Sequence, residues 1–150
     1  MTRTEKAIAL FLEGANCAQA VFAAFADLVG MDERAALRIS SSFGGGVGRQ
    51  REVCGAISGM CKVLGALYGY DDLQDNALKA AHYARVQVLC NMFKEKYGSI
   101  VCRELLGAKR AESTPNPTPR DAEFYRTRPC ARFVGAAAEL LEGYIAEHPL

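Results

Sequence analysis

The sequence predicts a single all-α domain over residues 1–150, an irregular bundle of about six or seven helices. Three observations carry this. Alanine is frequent, while β-branched residues and proline (five residues) are scarce, a composition that favours helix. Apolar residues recur at three- and four-residue spacing, and no alternating run is long enough to make a strand. Capping residues and glycines punctuate the apolar runs at helix-length intervals. A chain of 150 residues has the commonest domain size and buries roughly 70% of its unfolded surface, so a core needs no disulfide.

Each element follows from local chemistry. Thr2 or Thr4 caps a first helix reaching about Leu12, and Gly14 breaks it. Asn16 caps a second, Cys17 to about Val29, with Gly30 as its stop. Val21, Phe22, Phe25, Leu28 and Val29 give that helix one buried face. Asp32 caps a third, Glu33 to about Ser41. Phe43-Gly44-Gly45-Gly46-Val47-Gly48 is too rich in glycine for regular structure and predicts a tight loop. A fourth helix runs from about Glu52 to Tyr68, stopped at Gly69. Gly55 and Gly59 lie four apart within it, so they share a face that a second backbone or a bulky ligand approaches.

Asp72 or Asp75 starts a fifth helix ending near Tyr97, with Gly98 as C-cap. Its Ala77, Ala80, Ala81, Ala84 and Val88 form a small-residue stripe suited to close packing. Ser99 caps a short sixth helix, Ile100 to Leu106, stopped at Gly107. Residues 108–128, with Pro115, Pro117 and Pro119 and several basic side chains, predict a flexible solvated linker. Pro129 suits the first turn of a last helix reaching about Ala146.

Charge narrows the function classes. The 18 Lys plus Arg nearly cancel the 17 Asp plus Glu, which argues against a nucleic-acid binder driven by bulk charge. No apolar run approaches the ~20 residues of a membrane helix, and the N-terminus lacks the apolar stretch of an export signal. The reading is a soluble cytoplasmic protein. Six cysteines are then the unusual feature, because a reducing compartment disfavours stable disulfides. They are packing residues, metal ligands or redox thiols.

Their placement separates these roles. Cys17, Cys54, Cys102 and Cys130 fall at predicted helix starts, where unpaired amides and the positive end of the helix dipole favour thiolate. Arg51, Arg103, Arg128 and Arg132 lie within three residues of these cysteines and strengthen the effect where they point inward. Cys61 and Cys90 fall mid-helix and read as packing residues, although Cys61 shares a helix face with Cys54.

Cys54-Gly55-Ala56-Ile57-Ser58-Gly59 matches a Cys-Gly-Ala-x-x-Gly motif, with Cys17 before it and Cys102 and Cys130 after it. With this order the chain resembles the C_GCAxxG_C_C family of redox-active proteins, over about residues 8 to 140. The resemblance implies redox chemistry at Cys17, Cys54, Cys102 and Cys130. A similar domain occurs in split-Soret cytochromes, where it accompanies a non-haem iron–sulfur site. This chain has no Cys-x-x-Cys-His, so covalent haem attachment does not carry over.

Three chemistries remain open. The leading one is a 2Fe–2S or 4Fe–4S cluster on the four thiolates, with Gly55 and Gly59 leaving room for it. The second is cofactor-free thiol–disulfide chemistry, with Cys102 and Cys130 as the pair, since the proline-containing linker between them is free to move. The third is a structural zinc site in an interaction protein, weakened by the absence of closely spaced cysteine pairs. The expected partner is a redox protein or small electron donor, and the alanine-rich helix faces suit a homodimer. The glycine loop lacks the lysine and hydroxyl of a phosphate loop and reads instead as a backbone nest for the Cys54 sulfur or a small anion. Glu104 reads as a first-turn acid. His82 and His148 read as solvated side chains.

Overall fold

Helix caps set most boundaries. In a computed structural model describing residues 1–150, Thr2 and Glu5 close a capping box on α1 (Arg3–Leu12), and Asn16 and Gln19 close another on α2 (Cys17–Ala23). Asp32, Asp75 and Asp121 each accept an amide in the first turn of α3 (Glu33–Ser40), α5 (Asn76–Tyr97) and α7 (Ala122–Thr127). Gly98 ends α5 in the left-handed conformation, φ 88°. The remaining helices are α4 (Gly55–Tyr68), α6 (Cys102–Leu106) and α8 (Cys130–Glu147), with 3-10 turns at Ser41–Phe43 and Ala108–Arg110. The all-α expectation holds, and no helix is long and apolar enough to cross a membrane.

The core lies between α1, α2, α4 and α8. Gly55 and Gly59 let α4 lie against the α2 backbone: a Cβ on Gly59 would sit 2.9 Å from the Ala18 carbonyl oxygen and 3.0 Å from Val21 Cβ. Gly135 of α8 gives Ile8 of α1 the same access. Phe25, Ile57, Met60, Leu64 and Leu141 are fully buried around this contact. Each contributes about 1.5–3 kcal/mol relative to exposure.

Four expectations are corrected, three by a tertiary contact and one by its absence. α2 stops at Ala23, short of Val29, and tight turns carry the chain to Gly30. Arg3 donates to the Ala24 carbonyl at 3.0 Å, the acceptor a continuing helix would use, and ion-pairs with Asp27 at 2.6 Å. α4 starts at Gly55 instead of Glu52, and α6 at Cys102 instead of Ile100. The segments before them pair as a two-residue bridge: Val53 faces Val101, the Cys54 amide donates to Ile100 (2.8 Å), and the Cys102 amide donates to Glu52 (2.6 Å). Ser99 takes the Val101 amide and caps no helix.

The α5 stripe does not pack. Ala77, Ala80, Ala81, Ala84 and Val88 are exposed, and α5 buries only Leu89, Cys90 and Phe93 near its C-terminal end. The fourth correction concerns residues 108–128, which are a strap, not a free linker. They contain α7, whose Phe124 and Tyr125 rings pack on Phe11 at 6.3 and 6.2 Å.

Candidate functional site

Cys17, Cys54, Cys102 and Cys130 line one cavity of about 460 Å³. Each comes from a different helix start: Cys17, Cys102 and Cys130 are first helical residues, and Cys54 is the N-cap of α4. The Val53–Val101 bridge sets Cys54 and Cys102 on adjacent segments. α2 and α8 bring Cys17 and Cys130 together. All six cysteines of the chain are free thiols.

The glycine loop closes one wall. Gly45, Gly46, Val47, Gly48 and Arg49 are consecutive left-handed residues, φ between 57° and 72°, and Arg51 follows at 62°. Such a run is costly for residues with a side chain, most of all for β-branched Val47. The amides from Val47 to Glu52 are all spent on carbonyls of the loop itself, among them Gly48 to Ser42 (2.8 Å) and Glu52 to Gly46 (2.9 Å). The loop therefore does not present those amides as an anion nest. What it delivers to the cavity is two arginines, Arg49 and Arg51.

Arg51 is 5% exposed. Its Nε donates to the Glu112 carbonyl at 2.9 Å and its Nη1 to Cys102 Sγ at 3.6 Å, while Nη2 is buried with no partner. Arg49 holds the strap through the Thr114 carbonyl (2.7 Å) and Thr118 Oγ1 (3.0 Å). Arg120 and Arg128 complete a cationic wall. The acid beside it is Glu112, 3.8 Å from Arg128 and more than half exposed. Arg49 and Arg120 escaped the sequence reading. Arg49 directly follows the glycine loop and Arg120 lies in the strap, so neither adjoins a cysteine in sequence. Arg103 and Arg132 do adjoin one, but Arg103 pairs outside the cavity with Glu52 at 2.6 Å and Arg132 is exposed.

Three of the four thiols are raised despite standing at helix starts. Contact with the Cys130 thiol, then burial, holds Cys17 well above the ordinary 9.0. Burial pushes Cys54 up to about 12, against the Ala56 and Ile57 amides that favour its thiolate. Burial also raises Cys102, against the Arg51 hydrogen bond. Cys130 goes the other way, down to about 7, because the Cys17 thiol donates to it and Arg128, Arg120 and Arg51 outweigh its burial. The Cys17–Cys130 pair is therefore the first of the cavity thiols to give up a proton. Cys17, not Cys102, is the thiol in contact with Cys130.

Cys54 makes stability fall in alkali. Its folded pKa is raised, so its contribution is full below the ordinary 9.0 and is lost as pH climbs toward about 12. That span amounts to about 4 kcal/mol at ~1.4 kcal/mol per unit. The Cys54→Ser variant, which does not ionise there, should lose less stability than wild type between pH 9 and 12 in denaturant unfolding. Parallel curves for the two proteins would contradict this.

Gly55 lines the cavity and packs tightly on α2: an added Cβ would lie only 3.0 Å from the Ala18 amide nitrogen and 3.1 Å from Cys17 Cβ. Gly59 does not; its role is the α2–α4 contact. Cys61 and Cys90 also lie outside the cavity and touch each other instead, which raises Cys61 and lowers Cys90 to about 7 with help from Lys94. Glu104 accepts from Ser99 Oγ at 3.2 Å, outside the cavity.

A family model described as "Putative redox-active protein (C_GCAxxG_C_C)" matches residues 15–144, which include all four cavity cysteines. The chain belongs to the C_GCAxxG_C_C family. No curated protein and no solved structure matches it. In this member of the family the four motif cysteines, far apart in sequence, are the four thiols of one buried cavity.

Proposed function

We propose that this C_GCAxxG_C_C protein is an electron carrier or redox sensor in which Cys17, Cys54, Cys102 and Cys130 hold an iron–sulfur cluster. One observation carries the reading: four thiols from four helix starts line a single cavity whose facing wall is arginine. The donor set matches the four cysteines that 2Fe–2S and 4Fe–4S clusters take. A cluster on four thiolates is anionic, so Arg51, Arg128 and Arg120 stabilise it and the orphaned Arg51 Nη2 gains an acceptor. When bound, the cluster supplies one-electron transfer. The chain's own part is to release the thiol protons, hold the sulfurs with backbone and guanidinium donors, and keep water out.

A structural zinc has less support. Zn–S bonds of ~2.3 Å in a tetrahedron set the sulfurs about 3.8 Å apart. No three His, Cys, Asp or Glu side chains are grouped closely enough to share one ion. Cluster sulfurs stand at the corners of a larger body and do not need that closeness.

The test is iron and acid-labile sulfide content, with a visible spectrum, on protein purified without oxygen. Stoichiometric iron and sulfide are expected, with loss of both in Cys17→Ser, Cys54→Ser, Cys102→Ser and Cys130→Ser. Full loading in all four single variants would overturn the reading. Colourless, metal-free protein would favour a dithiol function at Cys17 and Cys130, the pair already in contact. In that reaction the two thiols lose two electrons and two protons to a disulfide-class oxidant, and differential alkylation reports it.

A further inference from the structure

We infer that the arginine wall of the cavity is a binding site for a small dianionic oxyanion of the phosphate or sulfate class. A buried guanidinium with a free donor is an expensive feature, because both the charge and the unpaired N–H lose water without recompense. Arg51 has that form. It lines the cavity, is 5% exposed, has two of its nitrogens engaged, and keeps Nη2 buried without a partner. The charge around it is unbalanced in the same sense. Arg49, Arg120 and Arg128 also line the cavity, against the single, mostly exposed carboxylate of Glu112. Arg49 is lowered from its ordinary 12.5, first by burial and then by Arg51, with Arg128 acting in the same direction.

The number of uncompensated charges selects the ligand. Four guanidinium groups line the cavity against the one carboxylate of Glu112, so a dianion is matched better than a monoanion. Planar guanidinium donors suit the oxygens of phosphate or sulfate. The 460 Å³ volume exceeds that of a bare anion, leaving room for an organic substituent. Pro115, Pro117 and Thr118 of the strap line that space, and Arg49 holds the strap in place.

The oxyanion and the cluster would draw on the same arginines, so the test uses metal-free protein kept reduced. Inorganic phosphate, sulfate and acetate are titrated by calorimetry at low ionic strength. One saturable site per chain is expected for phosphate and sulfate, with acetate at least about tenfold weaker. Arg51→Gln should weaken phosphate about tenfold or more, the loss typical of a hydrogen bond to a charged group. Should Arg51→Gln not fold, Arg128→Gln decides: the rise in melting temperature that phosphate gives wild type should shrink or vanish in it. Methyl phosphate separates the sources of the oxyanion. Tighter binding than inorganic phosphate assigns an esterified ligand, and weaker binding assigns the free anion. No saturable phosphate or sulfate site, equal affinity for acetate, or undiminished binding in folded Arg51→Gln overturns the inference. Iron content measured on a parallel oxygen-free preparation keeps the two readings apart. Iron without phosphate binding removes only the oxyanion site, and phosphate binding without iron removes only the cluster.

Discussion

Gly46→Ala should be among the most damaging single methyl additions in this protein, costing about 2–5 kcal/mol from a left-handed backbone and an overpacked contact together. Gly46 sits at φ 72°, which a side chain disfavours. The added Cβ would lie 2.6 Å from the Glu52 nitrogen, 2.8 Å from Arg51 Cα and 2.8 Å from Cys102 Cβ. None of these is the movable end of a long side chain. Relief therefore means displacing the segment that carries Arg51 or the start of α6, and either shift moves a cavity residue. The urea midpoint should fall steeply, and alkylation of Cys102 should accelerate in the native state. A midpoint close to wild type would show that the loop is softer than its geometry implies. Val47→Gly, one residue on, should have the opposite sign. It relieves a β-branched residue at φ 65° and stabilises by about 1 kcal/mol.

Arg120→Ala should release the strap. Arg120 Nη1 donates to the Phe11 carbonyl and Nη2 to the Ala15 carbonyl, both at 3.0 Å. The same guanidinium lies over the rings of Phe11 (4.4 Å) and Phe124 (4.7 Å). One side chain thus joins the strap to the end of α1 and to the turn before Cys17. Losing two charge-assisted bonds and the ring contacts costs about 3 kcal/mol, or roughly a hundredfold in the opening equilibrium. Amide exchange across residues 108–121 should rise by about that factor, with the α2 and α4 core protected as before. Arg120→Lys should not rescue it, because one ammonium cannot span both carbonyls in the fork geometry. Unchanged exchange in the strap would mean that Phe124 and Tyr125 hold it without the arginine.

The strap also shows where sequence reasoning stops. Alternate prolines and basic residues predicted an extended, solvated linker. The prolines do line an irregular path, but two of the basic residues, Arg120 and Arg128, turn inward as anchors while Lys109, Arg110 and Arg126 stay exposed. Arg120 reaches back to Phe11 across 109 positions, and the strap's Glu112 carbonyl is taken by Arg51 from 61 positions away. Composition cannot distinguish an arginine that faces water from one that faces a carbonyl. The α5 stripe failed for the same reason in reverse. Its alanines permit close packing, yet no helix lies over them.

Local chemistry was legible because it acts over three or four residues. Asn16, Asp32 and Gly98 act at the positions where their capping roles put them, and the spacing of Gly55 and Gly59 disclosed the α2–α4 contact. The helix-start placement of Cys17, Cys54, Cys102 and Cys130 was readable in the same way, since a cap and the residue after it lie side by side. Sequence thus determined every helix but α7 and which four thiols stand at helix starts. Tertiary structure alone decided that those starts share one cavity, that Cys17 meets Cys130, and that this contact and burial raise three of the thiols. It also turned four arginines inward and left one guanidinium nitrogen without a partner. Desolvation and charge pairing depend on what surrounds a group in space, and that surrounding is assembled from residues the chain keeps far apart.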